Sequence, residues 1–218
     1  NCFPHRLSFM HEKLQQKGDT TTCTIAVIVR DGNILLGQRN YFSDDDERET
    51  VSTWTAPGGR PDSKEEKIEE ALRREVEEEI GVTDLEIKDY IGEVSGAGDD
   101  DSLLIFLCDT NQEPELKEPE KFSEWRWFPI EAYQNGEPEE YINEESREVI
   151  SNYLNEELLK NQQDNLEDVF DKLEGEELKE FTERMMEFFS KRQDVLLKGK
   201  KELDKIRAKH LEDYRTGV

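Results

Sequence analysis

The sequence predicts an α/β domain followed by an α-helical extension. Three observations carry this. Short runs of β-branched and aromatic residues, such as Thr22–Val29, alternate with helix-period segments through the first 160 residues. One of those segments, Ile68–Ile80, is an amphipathic helix that follows a Pro-Gly-Gly turn and ends at Gly81. From about Asn161 the strand signals vanish and apolar residues recur only at helical spacing. The expected division is a domain over 1–160 and an extension over 161–218.

Residues 1–19 carry Phe3, Leu7, Phe9, Met10 and Leu14, consistent with a short helix packed on the domain; His5 and His11 read as surface or packing residues. Thr22–Val29 is a buried strand, Asp31-Gly32 a hairpin turn and Ile34–Gln38 the returning strand. Asn40–Ser52, with Asp44-Asp45-Asp46-Glu47, reads as a solvated loop over the site, because no glycine and distal glutamate follow at calcium-loop spacing. Tyr41, Phe42 and Trp54 are candidates for stacking on a base, with core packing the stronger reading for Trp54. Leu85–Ile91 and Ser102–Cys108 are strands separated by a turn around Gly96–Asp101. A Pro- and Glu-rich loop spans 110–121, and Glu124–Phe128 is a short strand stopped by Pro129, with at least one of Trp125 and Trp127 in the core. Ile130–Tyr133 forms a turn or short helix, and Glu144–Leu159 is helical. In the extension, Leu166, Phe170 and Leu173 make one stripe, and Leu178, Phe181, Met185 and Phe188 another, with Gly175 and Gly199 as breaks. These stripes fit a helical hairpin or trio that packs on the domain, a second subunit or a protein partner.

The chain has 218 residues and a formal net charge of −25. That charge disfavours nucleic acid polymers and anionic membranes as partners, and no apolar run is long enough to cross a bilayer. An anionic small molecule remains admissible if the site supplies its own cations. Cys2, Cys23 and Cys108 lack metal-ligand spacing and read as reduced thiols, which points to a cytoplasmic setting.

The stretch WTAPGGRPDSKEEKIEEALRREVEEEIGV, Trp54–Val82, holds the chemistry. Gly58 and Gly59 let backbone approach a ligand closely. On a helix of 3.6 residues per turn, Glu75, Glu78 and Glu79 share one face while Glu77 points away. Ile68, Leu72, Val76 and Ile80 form the adjoining apolar stripe. A Glu run is ordinarily a solvated helix face, and Glu69, Glu70 and Glu77 read that way. Three carboxylates crowded on one face would instead take up protons or share a hard divalent cation.

Glu66, seven residues, then Arg74-Glu75-Val76-Glu77-Glu78-Glu79-Ile80-Gly81-Val82 resembles the signature of the Nudix hydrolase family. One departure stands: six residues, not five, separate Gly59 from Glu66. TIAVIVRDGNILLGQR resembles the family's first hairpin, and EPEKFSEWRWF resembles a segment of its nucleoside-triphosphate-cleaving members. The resemblance implies an α/β/α sandwich around a mixed sheet. It implies Mg2+ or Mn2+ held by Glu75, Glu78, Glu79 and the Gly59 carbonyl, with Glu66 and Arg74 orienting them. Glu78 or Glu79 would serve as base through a water, or a glutamate of the later loop would, Glu120 ahead of Glu118. Arg39, Gly58, Gly59 and Glu118 would contact substrate. The expected reaction is cleavage of a nucleoside triphosphate, normal or oxidised, to monophosphate and pyrophosphate. ADP-ribose or another nucleotide sugar is the second expectation. A nucleotide sensor that does not cleave, with the helical extension as its output, is the third. The resemblance also admits a homodimer.

Overall fold

The structure, a computed structural model, describes residues 3–19, 21–42, 50–96 and 100–172, together with Glu183. The chain runs α1 (Phe3–Gln15), β1 (Thr22–Arg30), β2 (Asn33–Phe42), β3 (Thr50–Thr55), β4 (Gly58–Gly59), α2 (Ile68–Ile80), β5 (Glu86–Ser95), β6 (Ser102–Asp109), β7 (Phe122–Pro129), α3 (Ile130–Gln134) and α4 (Glu144–Lys172). It divides into two compact units, Asn1–Glu157 and Leu158–Val218. Acidic residues Asp44–Glu47, Cys2, and the stripe and glycine positions beyond Lys172 lie outside the described residues.

Strand alternation builds a layer on each face of the sheet. Ile25 and Val27 of β1 point to one side, where Tyr133, Tyr141, Ile150, Tyr153 and Leu154 cover them. Ala26 and Ile28 point to the other, where Leu14 of α1 and Ile68, Leu72, Val76 and Ile80 of α2 close the core. The result is a three-layer sandwich around a mixed sheet: β1 runs parallel to β6 and antiparallel to β2 and β4.

The sheet is continuous only at one end. β1 meets β2 at Val29–Ile34 and Arg30–Asn33, next to the Asp31-Gly32 hairpin turn. Further along, β2 pairs with β3 and β7, while β1 pairs with β4 and β6. The two halves therefore part between β1 and β2, and this parting creates the cleft.

Three expectations change. The supposed loop Asn40–Ser52 begins and ends in strand, because β2 runs to Phe42 and β3 starts at Thr50. TVSTWT lacks apolar alternation, so β3 carries a weak strand signal despite its Thr and Val content. β5 extends to Ser95, beyond the expected Ile91. It is an edge strand, and its charged and half-exposed residues are what an edge tolerates. Finally, α4 continues past the expected Leu159, its described span being Glu144–Lys172, in which no Gly or Pro occurs.

Candidate active site

A cleft of about 550 Å³ occupies the parting. One wall is Cys23 and Ile25 of β1 with Gly58 and Gly59 of β4, and the other is Arg39 and Tyr41 of β2 with Thr55 of β3. Glu75 and Glu79 reach it from α2, Arg60 and Lys121 from flanking loops, and Asp101, Leu103, Ile142 and Asn143 complete it.

Helix α2 is fixed at both ends. Gln16 O accepts the Ile68 N–H at 2.9 Å, and Glu70 accepts the Lys67 N–H at 3.1 Å, so Glu70 is a capping residue and not merely a solvated one. Gly81 closes the helix with φ 72° and donates to Glu77 O at 2.9 Å. Two carbonyls of the last helical turn are taken up by the following loop: Glu115 N–H donates to Ile80 O (2.9 Å) and Lys117 N–H to Glu79 O (3.2 Å). This anchoring carries the 110–121 loop to the site.

The three carboxylates are buried to different depths. Side-chain exposure is 50% for Glu78, 15% for Glu75 and 2% for Glu79, and Glu77 is exposed. Arg74 Nη1 lies between Glu75 (3.0 Å) and Glu78 (3.1 Å), while its Nε binds Glu66 at 2.9 Å and its Nη2 binds the Arg60 carbonyl at 2.9 Å. Glu66 also accepts the Asp62 N–H at 2.6 Å. The Arg74 hydrogen bond holds the Glu66 carboxyl below its ordinary range, and Arg74 is raised in turn. The extra residue between Gly59 and Glu66 is absorbed in a turn closed by Glu66 N–H to Ser63 O at 3.2 Å. Glu66 still reaches Arg74.

Glu79 is poorly compensated. Gly58 N–H donates to it at 2.8 Å, and Arg39 stands 3.9 Å away across the parting. Burial outweighs both and pushes its carboxyl up to about 8. Burial also raises Glu75. Beside Glu75, the missing side chain of Gly59 leaves room, since a Cβ there would collide with the Glu75 carboxylate. Among the described residues no three acidic, His or Cys side chains already converge in metal-binding geometry. The donor set nevertheless fits a divalent cation: a buried, under-compensated carboxylate stands near a second one and a backbone carbonyl.

Each cation of the cleft has a carboxylate partner. Arg39 faces Glu79, Lys121 binds Glu118 at 2.6 Å, and Arg60 forms a close ion pair with Asp101. Glu118 Oε2 is buried without a hydrogen-bond partner, and its charge acts on Glu79. Glu120 is exposed, and neither it nor Glu118 is among the residues that line the cleft. The turn Glu118–Phe122, closed by Phe122 N–H to Glu118 O at 2.9 Å, sets the two loop glutamates apart in burial: Glu118 is half-buried and Glu120 exposed. Arg39 also stacks its guanidinium on Tyr41 and Phe122, at 5.4 and 5.5 Å from the ring centroids. Trp54 is core, edge-on to Phe128. Sequence reasoning missed Arg60, Lys121, Asp101, Asn143 and Cys23. Arg60 directly follows the Gly-Gly turn and Lys121 follows Glu120, so both were within reach of that reasoning; Asp101 and Asn143 carried no local signal.

The sequence profile of the NUDIX domain matches residues 20–153. The chain belongs to the Nudix hydrolase family. A comparison with curated proteins returned no match. Solved structures similar to this Nudix domain include the MutT NUDIX hydrolase from Burkholderia pseudomallei, 27% identical over 51% of this chain and 84% of that one, with a TM-score of 0.39. The MutT protein from Methanosarcina mazei Go1 is 21% identical over 63% of this chain and 94% of that one, TM-score 0.49. An ADP-ribose pyrophosphatase from Streptococcus suis 89-1591 is 21% identical over 50% and 74%, TM-score 0.39. Among the described residues no helix is long and apolar enough to cross a membrane.

Proposed function

We propose that this Nudix enzyme hydrolyses the phosphoanhydride of a nucleoside triphosphate, normal or oxidised, to a monophosphate and pyrophosphate with Mg2+ or Mn2+. The observation that carries the reading is the buried Glu79 carboxylate, held by Gly58 and under-compensated, in a cleft that also presents Glu75, Arg39, Lys121 and Arg60. Glu75, Glu78, Glu79 and the Gly59 carbonyl would hold the cation. When bound, it neutralises phosphate charge and acidifies the attacking water. Glu66 and Arg74 position Glu75 and Glu78 through the bonds described above. Arg39 and Lys121, paired with Glu79 and Glu118 in the free protein, would bind the substrate's phosphate oxygens. Glu118, whose Oε2 is buried without a hydrogen-bond partner, would accept the proton of the water. A screen of NTPs, dNTPs, oxidised dGTP, ADP-ribose and dinucleoside polyphosphates with magnesium, with products identified, tests the reading. Release of pyrophosphate from a triphosphate is expected; cleavage confined to ADP-ribose or another nucleotide sugar would replace the substrate, and binding without cleavage would make the domain a sensor.

Glu118→Gln should lower kcat on the order of a hundredfold, the usual contribution of a positioned general base. Glu120→Gln should leave it unchanged, because that side chain is exposed, whereas Glu118 is half-buried and its charge acts on Glu79. Steady-state rates of the two variants decide between the residues, and the reverse pattern would restore Glu120.

The raised carboxyl of Glu79 gives a second expectation. Its folded value, about 8, lies above the ordinary 4.5. Its contribution to the stability of the metal-free protein is therefore fully present below about pH 4.5 and is lost as pH rises through about 8. A cation replaces the proton, so magnesium should raise the melting temperature more at about pH 8.5 than at about pH 6. Calorimetry near neutrality should also register proton release on binding. A magnesium shift independent of pH would remove Glu79 from the ligand set.

A further inference from the structure

The pairing of Arg60 with Asp101 carries one step more, resting on the nucleotide-hydrolase reading above. β4 and β6 occupy opposite edges of β1: Thr24 pairs with Gly59 on one side and with Leu104 on the other. Arg60 follows β4 and Asp101 precedes β6, so their ion pair crosses β1 near Cys23, whose thiol feels the charges of Arg60, Glu75 and Glu79. The pair thus lies along the β1 wall of the cleft, beside the carboxylates. Both members are fixed from behind. The Arg60 carbonyl accepts from Arg74 at 2.9 Å, the same guanidinium that holds Glu75 and Glu78. Asp101 closes the β5–β6 turn, its carbonyl accepting the Gly96 N–H at 2.8 Å.

We propose that Arg60 is a specificity-determining residue that reads the terminal phosphate of the substrate, with Asp101 as its displaceable counter-ion. The Arg60 side chain is 48% exposed and Asp101 12%, so solvent and ligand reach the pair from the arginine's side. A terminal phosphate carries more charge than one carboxylate and offers a guanidinium two oxygens in fork geometry. It displaces Asp101. The hydroxyls of a neutral sugar do not, and Asp101 then keeps Arg60. The cleft accordingly favours a substrate ending in phosphate over one ending in a sugar, although both share the nucleoside diphosphate.

ATP and ADP-ribose isolate this difference, because they share base, first ribose and two phosphates. Binding of each to the full chain is measured by calorimetry with calcium in place of magnesium, and hydrolysis with magnesium. The wild type should bind ATP on the order of tenfold tighter than ADP-ribose, the scale of one charge-assisted hydrogen bond. Arg60→Gln should remove that preference by weakening ATP alone, Arg60→Lys should retain part of it, and Asp101→Asn should tighten ATP. Melting curves exclude loss of folding as the cause. An equal loss for both ligands would assign Arg60 to the shared diphosphate and overturn the proposal, as would a preference that survives Arg60→Gln or an absence of preference in the wild type. If the binding pattern holds but neither compound is hydrolysed, the proposed reaction fails and the recognition by Arg60 stands.

Discussion

Glu79→Gln should reduce turnover on the order of a thousandfold, equivalent to about 4 kcal/mol of transition-state stabilisation. The substitution keeps the side-chain volume and the chance to accept the Gly58 N–H, now at 2.8 Å. What it removes is the charge. Glu79 is the most buried of the three carboxylates, with Arg39 its nearest cation at 3.9 Å. A group kept in that setting costs the free protein stability above neutrality and recovers it only when a cation arrives. The metal-free variant should therefore melt higher than wild type at about pH 8.5, and should lose the response to magnesium. Glu77→Gln serves as the control: the side chain lies on the same helix, points to solvent and should change neither property. Ordinary turnover in Glu79→Gln, or unaltered activity in excess EDTA, would remove the carboxylate face from the chemistry.

That face was readable in the sequence because helical geometry is local. The 3.6-residue period alone places Glu75, Glu78 and Glu79 together and Glu77 apart. It also brings Ile68, Leu72, Val76 and Ile80 into the core, where they are buried. The depth of each glutamate is not local. Glu79 is sealed because β4 pairs with β1 and sets Gly58 over it, while Glu78 keeps half its surface. The cations show the same division. Lys121 enters the cleft because Asn40 N–H binds its carbonyl at 2.9 Å, a bond between segments eighty residues apart in the chain. Asp101 and Asn143 reach it through the β5–β6 turn and the start of α4, where Asn143 donates to Ser95 O at 2.9 Å and accepts from Ser146 N–H at 2.9 Å. Glu118 and Glu120 are two residues apart with the same chemistry, and the turn that closes on Phe122 separates their burial. Likewise, β3 is a strand by virtue of its pairing along β2 from Gly37 to Phe42, which the composition of TVSTWT alone does not announce.

Alanine at Gly58 and at Gly59 should have opposite consequences. Gly58 has φ +147° and sits over β1, where an added Cβ would run into the Thr24 carbonyl and the Ile25 Cα. Both obstacles are backbone atoms in the middle of the sheet, and neither can yield without breaking the β1–β4 pairing. Gly58→Ala should cost about 3–5 kcal/mol of stability, a fall of about 10 °C in melting temperature for a chain of this size. The obstacle at Gly59 is different in kind: the end of the Glu75 side chain. A carboxylate can swing aside with little cost to folding, but Glu75 then leaves Arg74 and its place against Gly59. Gly59→Ala should therefore melt within a few degrees of wild type, on the scale of about 1 kcal/mol, while its magnesium affinity and turnover fall on the order of tenfold to a hundredfold. Urea unfolding, magnesium titration and rate assays on the two variants separate these outcomes. A stable Gly58→Ala protein would contradict the close approach of β4 to β1, and a fully active Gly59→Ala enzyme would show that Glu75 does not need the space the glycine leaves.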